Sequence, residues 1–227
     1  MNFFDEMAGV WDRTSRPDAA KIASLLSLLR LSQGETVLDV GTGTGVMIPY
    51  IRERVGSYVP IVAVDSSAKM LHEASLRYAG EGVHFIQADV ERDRLAGRFD
   101  AILLYSVFPH FRYPVDTIAR LVTDNLRCGG RLLIAHAQGR RHLNQIHERL
   151  VSQVFSRKLL PVAEQVEQFT RVGLTVTSFD ETDESYHILL QRVGVGDELS
   201  VSVAEAIYEL SLIHISEPTR PRLISYA

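Results

Sequence analysis

The chain has 227 residues, enough for one sizeable core and short for two, and its formal net charge of −4 argues against a broad electrostatic grip on nucleic acid. A single cysteine, Cys128, excludes a disulfide framework and a cysteine-rich zinc site. No apolar run approaches the ~20 residues of a membrane span, and the N-terminus lacks the basic and apolar regions of a secretory signal. We therefore expect a cytoplasmic protein with no membrane partner.

Predicted helices and strands alternate along most of the chain. Apolar runs that fit buried strands lie at residues 36–40, 61–65, 83–89, 99–105 and around 132–135. Segments with helical spacing of apolar residues lie at 16–31, 46–55, 66–79, 115–126, 142–155 and 162–173. Several strands are almost continuously apolar, which is typical of a parallel sheet covered by helices on both faces. The pattern predicts an α/β fold.

Two further strand-like runs follow at residues 174–180 and 185–193, with only a short turn between them. No crossover helix fits into that gap, so we expect these two strands to be antiparallel. The core is therefore predicted to be complete near Val193, without an internal repeat or a second domain.

The C-terminal segment SLIHISEPTRPRLISYA, residues 211–227, resembles translated sequencing-adapter read-through. The alternative is a native C-terminal tail. We treat the segment as a non-native tail and exclude it from the fold prediction, as a fusion scar would be excluded. Residues 194–210 form an extension of uncertain character, in which VAEAIYEL fits a native helix cut short.

The turn after the first strand contains three glycines, Gly41, Gly43 and Gly45, and leads into a helix. A strand, a glycine turn and a helix are typical of nucleotide binding, but the GxGxG spacing differs from the GxGxxG of dinucleotide sites. Asp39 ends the strand, and its buried carboxylate would repel a pyrophosphate and attract a cationic ligand. The alternative, compatible with the first, is that Asp39 accepts hydrogen bonds from the glycine turn.

Two more acids end the next two strands, Asp65 and Asp89. A carboxylate at the first position can accept both hydroxyls of a ribose, and one at the second can accept from the amine of adenine. Either acid alone could be a surface or capping residue. Three acids at the carboxyl ends of successive strands, where ligands of open α/β sheets bind, favour a shared nucleoside site.

The segments VLDVGTGTG, VAVDSSAKML, FIQADV, FDAILLYSVFPHF and LRCGGRLLIAHA follow one another in the chain. In this order they resemble the class I S-adenosylmethionine-dependent methyltransferases over about residues 1–193, with residues 1–31 as an N-terminal lid and helices. The resemblance implies a Rossmann-like, seven-stranded, mostly parallel sheet whose last strand is antiparallel, and S-adenosylmethionine as cofactor. The cofactor-binding residues that it implies are Asp39, Gly41, Thr42, Gly43, Gly45, Asp65, Ser66, Met70, Ala88, Asp89, Val90 and Tyr105.

Candidates for the acceptor side follow the fourth and fifth strands. Tyr105 closes the fourth strand, His110 follows it, His136 closes the fifth, and His147 lies with Asn144 on the next helix. We predict Tyr105 and the three histidines as catalytic, since a histidine can act as a base near neutral pH. The alternatives are that each is a satisfied packing residue, or that the histidines hold a metal ion; we predict no metal.

Several absences favour a small-molecule acceptor. The end of the fourth strand lacks the Asn/Asp-Pro-Pro-aromatic signature of enzymes that methylate adenine or glutamine amines, and no Pro-Cys nucleophile is present. Arg140 and Arg141 form either a small anion site or a solvated face. Phe3, Phe4 and Trp11 form either a lid over the donor or a helix packed on the sheet.

Three other functions stay open from the sequence. They are an NAD-dependent oxidoreductase on a similar sheet, a catalytically silent protein that binds S-adenosylmethionine, and a methyltransferase that acts on RNA or protein. The GxGxG spacing, Asp39 and Asp89 argue against the first, and the acidic balance argues against the last. The oligomeric state cannot be predicted.

Overall fold

The fold is a seven-stranded sheet flanked by helices, in a computed structural model that describes residues 3–11, 18–80, 82–150, 153–194 and 223–224. Its strands are β1 (Val37–Val40), β2 (Ile61–Asp65), β3 (Val83–Gln87), β4 (Arg94–Leu95), β5 (Phe99–Tyr105), β6 (Leu126–His136), β7 (Thr175–Glu181), β8 (Tyr186–Gln191) and β9 (Leu223–Ile224). Its helices are α1 (Phe3–Met7), α2 (Ala19–Ser27), α3 (Ile48–Val55), α4 (Ala68–Tyr78), α5 (Pro114–Arg120), α6 (Arg140–Leu150) and α7 (Val162–Arg171). Single 3-10 turns cover Ala8–Val10 and Phe108–His110.

The strand order is β3-β2-β1-β5-β6-β8-β7, and the first five of these pair in parallel. The chain builds outward from β1 to β3 and then crosses back to place β5 on the other side of β1. Such a reversal of direction leaves a crevice at the carboxyl ends of the two central strands, where open α/β sheets bind their ligands. The topology therefore places β1 and β5 at the mouth of the candidate site.

The last core strand, β8, inserts between β6 and β7 and runs antiparallel to both. The turn before it is short, and the Thr182 hydroxyl accepts hydrogen bonds from the backbone N–H groups of Glu184 and Ser185. This hairpin confirms the predicted antiparallel pair, and the sheet as a whole confirms the predicted seven-stranded, mostly parallel fold.

Alternate residues of the central strands face two separate apolar layers. Leu104 and Ile134 pack on one face with Phe169 of α7, whereas Leu103 and Ala135 pack on the other face with α2 and α3. His136 follows Ala135 and so lies on the face of Ile134. The two faces decide which of the candidate site residues can meet.

Two helices end earlier than the sequence pattern predicts. The segment predicted as one helix at 115–126 is α5 followed by a π-helical turn, Leu121–Asn125, and β6 already begins at Leu126. The buried Asn125 amide donates to the carbonyls of Leu95 and Gly97, which draws the turn toward β4. The helix predicted to reach residue 155 is described only to Leu150, and 153–154 form a turn.

Beyond Val193 the structure describes little of the chain. Leu223–Ile224 form β9, which pairs in parallel with β4 in a small second sheet that the sequence analysis did not predict. The remainder of 195–227 lies outside the described residues, so the non-native tail stays a prediction. No helix in the described ranges is both long and apolar enough to cross a bilayer.

Substitution of Phe169 by alanine tests how firmly α7 holds the site-forming turn. The Phe169 ring is fully buried and packs edge-on at 6.1 Å against Phe108, in the turn that carries His110. We expect Phe169→Ala to lower the free energy of unfolding by about 3–5 kcal/mol, measured by urea denaturation. Phe179→Ala removes a ring that is 48% exposed and is the matched control, with a loss under about 1 kcal/mol. Equal losses in the two variants would contradict this packing.

Candidate active site

The glycine turn after β1 is anchored on one side and open on the other. The N–H groups of Gly41 and Thr42 both donate to the carbonyl of Val64, at 2.8 and 3.0 Å, which ties the turn to β2. A Cβ at Gly41 would collide with Val107, whereas a Cβ at Gly43 would meet no atom within 4 Å, although Gly43 has a φ of +56°. The backbone at Gly43 can therefore be approached closely by a ligand.

Asp39 is a buried carboxylate with one close partner. Its side chain is 1% exposed, and the Thr42 hydroxyl donates to Oδ2 at 2.6 Å. Burial raises the pKa of Asp39 to about 7; the bond from Thr42 opposes the rise, and the charge of Asp65 adds to it. A cation placed beside Asp39 would favour the ionised form.

Asp65 converges on the same turn from β2. Its carboxylate accepts from the N–H of Gly43 and from the N–H of Ser67, both at 2.9 Å. Burial raises the pKa of Asp65, and these backbone hydrogen bonds oppose the rise. The structure thus brings both predicted acids together on the glycine turn.

The N-terminus of α4 lies beside Asp65 and is covered by α1. Ser67 caps the helix by accepting from the N–H of Met70 at 3.1 Å, and its hydroxyl donates to Asp5 of α1 at 2.6 Å. Ser66 is exposed and Met70 is buried. Of the predicted cofactor contacts here, Ser66 and Met70 flank the capped turn.

The third acid, Asp89, is engaged within its own turn. Its Oδ1 accepts from the N–H of Glu91 at 3.0 Å, and its Oδ2 lies 3.5 Å from the Arg92 guanidinium. These are the contacts that the capping alternative expects. The neighbouring Ala88 and Val90 are buried. The adenine contact of all three residues remains a prediction.

The three histidines form one cluster at the carboxyl ends of β5 and β6, where His136 is the last residue of β6. The rings of His110 and His147 lie 5.3 Å apart and meet edge to face. The titratable groups that influence the pKa of the buried His136 are the other two histidines. The Nδ1–H of His110 donates to the carbonyl of Phe155 at 2.9 Å, which leaves its Nε2 with a free lone pair.

Burial keeps this cluster neutral. Burial and the neighbouring His110 and His147 lower the pKa of His136 to about 3, and burial with His110 lowers the pKa of His147 to about 4. Burial also lowers the pKa of His110. At neutral pH all three imidazoles therefore carry one donor and one acceptor each.

Tyr186 belongs to this cluster although the sequence analysis missed it. It is the first residue of β8, pairs in register with His136, and its ring lies 6.1 Å from the His136 ring. It is fully buried, and its hydroxyl has no hydrogen-bond partner. Tyr186 could be assigned to the cluster only from the register between β8 and β6, which places it opposite His136.

Tyr105, in contrast, is not brought together with the histidines. It packs with the layer on the other face of the sheet, where the titratable groups that influence its pKa are Tyr50 and Asp18. Burial raises the pKa of its phenol, and a hydrogen bond with Ser106 opposes the rise. A catalytic role for Tyr105 next to the histidines therefore has no geometric support.

The N-terminal aromatic residues close over the cluster. The Phe4 ring meets His110 at 5.1 Å and lies 5.5 Å from Phe3 and 5.9 Å from Trp11, all edge to face. The helix α1 therefore bridges the two sides of the site: Asp5 accepts from Ser67 beside the glycine turn, and Phe4 contacts His110 in the histidine cluster. The placement is the one that the lid interpretation requires.

The remaining candidates fall outside the cluster. Arg140 pairs with Glu181 at 2.6 Å, so it is not a free anion site, and Arg141 is exposed. The Asn144 side chain of α6 donates to the carbonyl of Leu159 and accepts from its N–H. These two hydrogen bonds hold the segment around Leu159 against α6. Within the described ranges, no group of three or more His, Cys, Asp or Glu is arranged to hold a metal ion.

Comparison with known proteins places this geometry in a family. The family profile described as a methyltransferase domain matches residues 37–130. Protein-L-isoaspartate O-methyltransferase of Rhizobium meliloti is 31% identical over 158 residues, which cover 64% of this chain and 71% of that protein. A malonyl-[acyl-carrier protein] O-methyltransferase of Anoxybacillus flavithermus is 25% identical over 178 residues, or 78% of this chain and 64% of that protein.

The chain spans only part of some curated relatives. The match to the malonyl-[acyl-carrier protein] O-methyltransferase of Marinomonas sp. covers 35% of that protein and 42% of this chain, at 35% identity.

Solved structures share the fold at low identity. A chain of the Haloferax volcanii complex between the Trm112 methyltransferase activator and a methyltransferase aligns with a TM-score of 0.71 at 17% identity, covering 86% of this chain and 99% of that one. The DhpI–SAH complex aligns with a TM-score of 0.67 at 21% identity, covering 85% of this chain and 95% of that one. Together with the family profile and the relative that is 31% identical, this fold shows that the chain belongs to the class I S-adenosylmethionine-dependent methyltransferases.

Proposed function

We propose that this chain binds S-adenosylmethionine at the glycine turn and transfers its methyl group to an oxygen of a small-molecule acceptor. The observation that carries the proposal is the convergence of Asp39 and Asp65 on one turn at the strand reversal, with Asp39 almost fully buried. Such a carboxylate is costly unless a positive charge meets it. The ammonium and sulfonium of this donor supply that charge, whereas a dinucleotide would place its negatively charged pyrophosphate at such a turn.

The residues present fit the donor. Gly43 leaves the backbone open to a ligand, and its N–H already orients Asp65, which would accept the ribose hydroxyls. Asp39 would lie toward the methionine part, and the buried Ala88 and Val90 toward the adenine. S-adenosylmethionine supplies a methyl group that is activated by the charge on its sulfur, so the protein mainly has to position the acceptor and exclude water.

Relatives support an oxygen acceptor. Nocamycin O-methyltransferase of Saccharothrix syringae and the malonyl-[acyl-carrier protein] enzymes are named as O-methyltransferases. The histidine cluster is the polar region into which such an acceptor would project, since it adjoins β5, the neighbour of β1. Where the acceptor has a proton to lose, the free Nε2 lone pair of His110 is the candidate base.

Titration calorimetry with S-adenosylmethionine, S-adenosylhomocysteine and NADH tests the donor. We expect the first two to bind and NADH not to bind; tight binding of NADH without S-adenosylhomocysteine would overturn the proposal. Transfer is then tested by incubating the protein with methyl-tritiated S-adenosylmethionine and a low-molecular-weight cell extract. Donor binding without any labelled product would favour the alternative of a catalytically silent binding protein.

Replacement of Asp65 by alanine should weaken S-adenosylhomocysteine binding by about 10- to 100-fold, because charge-assisted hydrogen bonds to the ribose contribute about 1.5–3 kcal/mol. The measurement is calorimetry at neutral pH. Asp183→Ala removes an exposed acid in the turn before β8 and is the matched control, with unchanged affinity. Unchanged affinity in Asp65→Ala itself would show that the ribose does not bind there.

Donor affinity should depend on pH through Asp39. The pKa of about 7 in the free protein falls when a cation binds, so binding releases a proton and weakens as the pH drops. Affinity should be nearly constant above pH 7 and decline toward tenfold per pH unit below it, measured by calorimetry between pH 5.5 and 7.5. Asp39→Asn should bind more weakly and lose most of this slope. The same slope in that variant would assign the titration to another group, of which Asp65 is the first candidate because its pKa is also raised.

A further inference from the structure

The histidine cluster contains an unusual concentration of unmatched polar atoms. Among the described residues, most of the buried side-chain nitrogen and oxygen atoms without a hydrogen-bond partner lie here. They are both ring nitrogens of His136, Nδ1 of His147 and the hydroxyl of Tyr186. Buried polar atoms are almost always paired in folded proteins, so a group of unpaired ones points to a ligand.

The chemistry of these atoms defines what the ligand must offer. The Tyr186 hydroxyl and one N–H each of the neutral His136 and His147 imidazoles can act as donors. In the part of the chain that the structure describes, the only titratable groups that influence His136 and His147 are other histidines. The acid that influences Tyr186, Glu181, is already bound to Arg140 and to the N–H of Val162. The group that would satisfy several converging donors is a carboxylate, whose two oxygens accept about four hydrogen bonds.

The same histidines are poorly suited to take a proton. A hydroxyl or ammonium acceptor must be deprotonated before or during methyl transfer, which requires a base whose pKa lies near the working pH. Burial holds the pKa of His136 at about 3 and that of His147 at about 4, so both imidazoles are weak bases at neutral pH. An acceptor that already carries its negative charge needs no base.

We propose that the acceptor oxygen belongs to a carboxylate held by hydrogen bonds from His136, His147 and Tyr186, and that the product is a methyl ester. This inference rests on the proposed function. A lone pair of the carboxylate forms the new oxygen–carbon bond while the carbon–sulfur bond breaks and leaves its electron pair on sulfur. The negative charge of the carboxylate and the positive charge of the sulfonium both disappear, and no proton is released.

Binding of simple acids tests the recognition without turnover. Acetate, malonate and benzoate, and the primary amides of the same acids, are titrated into the protein saturated with S-adenosylhomocysteine. We expect at least one acid to bind at least tenfold more tightly than its amide, and His136→Gln to reduce that preference at least fivefold. No preference for any acid over its amide, or an unchanged preference in His136→Gln, would overturn the inference.

Tyr186→Phe separates a ligand contact from a structural role. The Tyr186 hydroxyl has no partner in the protein, so its removal should leave the melting temperature unchanged or raise it, while the preferred acid binds at least fivefold more weakly. Tyr58→Phe alters a side chain that is 99% exposed and is the matched control, with neither quantity changed. A lower melting temperature with unchanged acid binding would make the hydroxyl structural and overturn its assignment.

The stability of the labelled product toward alkali distinguishes this inference from the proposed function. Methyl esters release volatile tritiated methanol in mild alkali, whereas methyl ethers and methylamines do not. Alkali-labile product from the cell extract supports the carboxylate. Alkali-stable product overturns the carboxylate and leaves methyl transfer intact, and a protein that binds neither S-adenosylmethionine nor its product removes the proposed function itself.

Discussion

The hydrogen bond from Thr42 to the buried carboxylate of Asp39 is the contact on which the candidate site depends. Asp39 is the third residue of the central strand β1, whose other residues are buried and apolar. One neutral hydrogen bond does not replace the solvation that such a carboxylate loses, and the raised pKa of Asp39 expresses that deficit. The fold thus holds an acid whose ionised form is disfavoured by burial until a cation arrives. The glycine turn, fixed to Val64 on one side and open at Gly43 on the other, determines where that cation can lie.

Sequence patterns predict the sheet well because most of its information is local. β2 (Ile61–Asp65) and β5 (Phe99–Tyr105) match the predicted runs residue for residue, since continuous apolar stretches between turns leave few alternatives. The errors lie where distant contacts override local preference. The end of the helix predicted at 115–126 is remodelled by Asn125, which binds carbonyls on either side of residue 96. Helical spacing alone cannot anticipate such a side-chain contact.

The candidate site divides in the same way. Asp39, Asp65 and the glycine turn can be located from sequence because each acid lies at or next to the carboxyl end of a strand and parallel strands end at one edge. The histidines are brought together as expected, but Tyr105 is not. Strand residues alternate between faces, so Tyr105 lies on the face of Leu103, while His136 lies on the face of Ile134. Tyr186 could not be found without knowing which residue of β8 stands opposite His136.

Each half of the site buries polar groups that lack a partner of the matching charge, and this electrostatic deficit has the opposite character in the two halves. On the β1–β2 side, acids are buried without a positive charge to match them; on the β6–β8 side, neutral donors are buried without an acceptor. Each deficit alone lowers the stability of the free protein, and each is relieved by a ligand of the matching charge. A cationic donor and an anionic acceptor bound together would also attract one another across the short distance from β1 to β5 and β6. The helix α1, bonded through Asp5 to one side and packed through Phe4 on the other, lies where it would exclude water from both ligands and so strengthen that attraction.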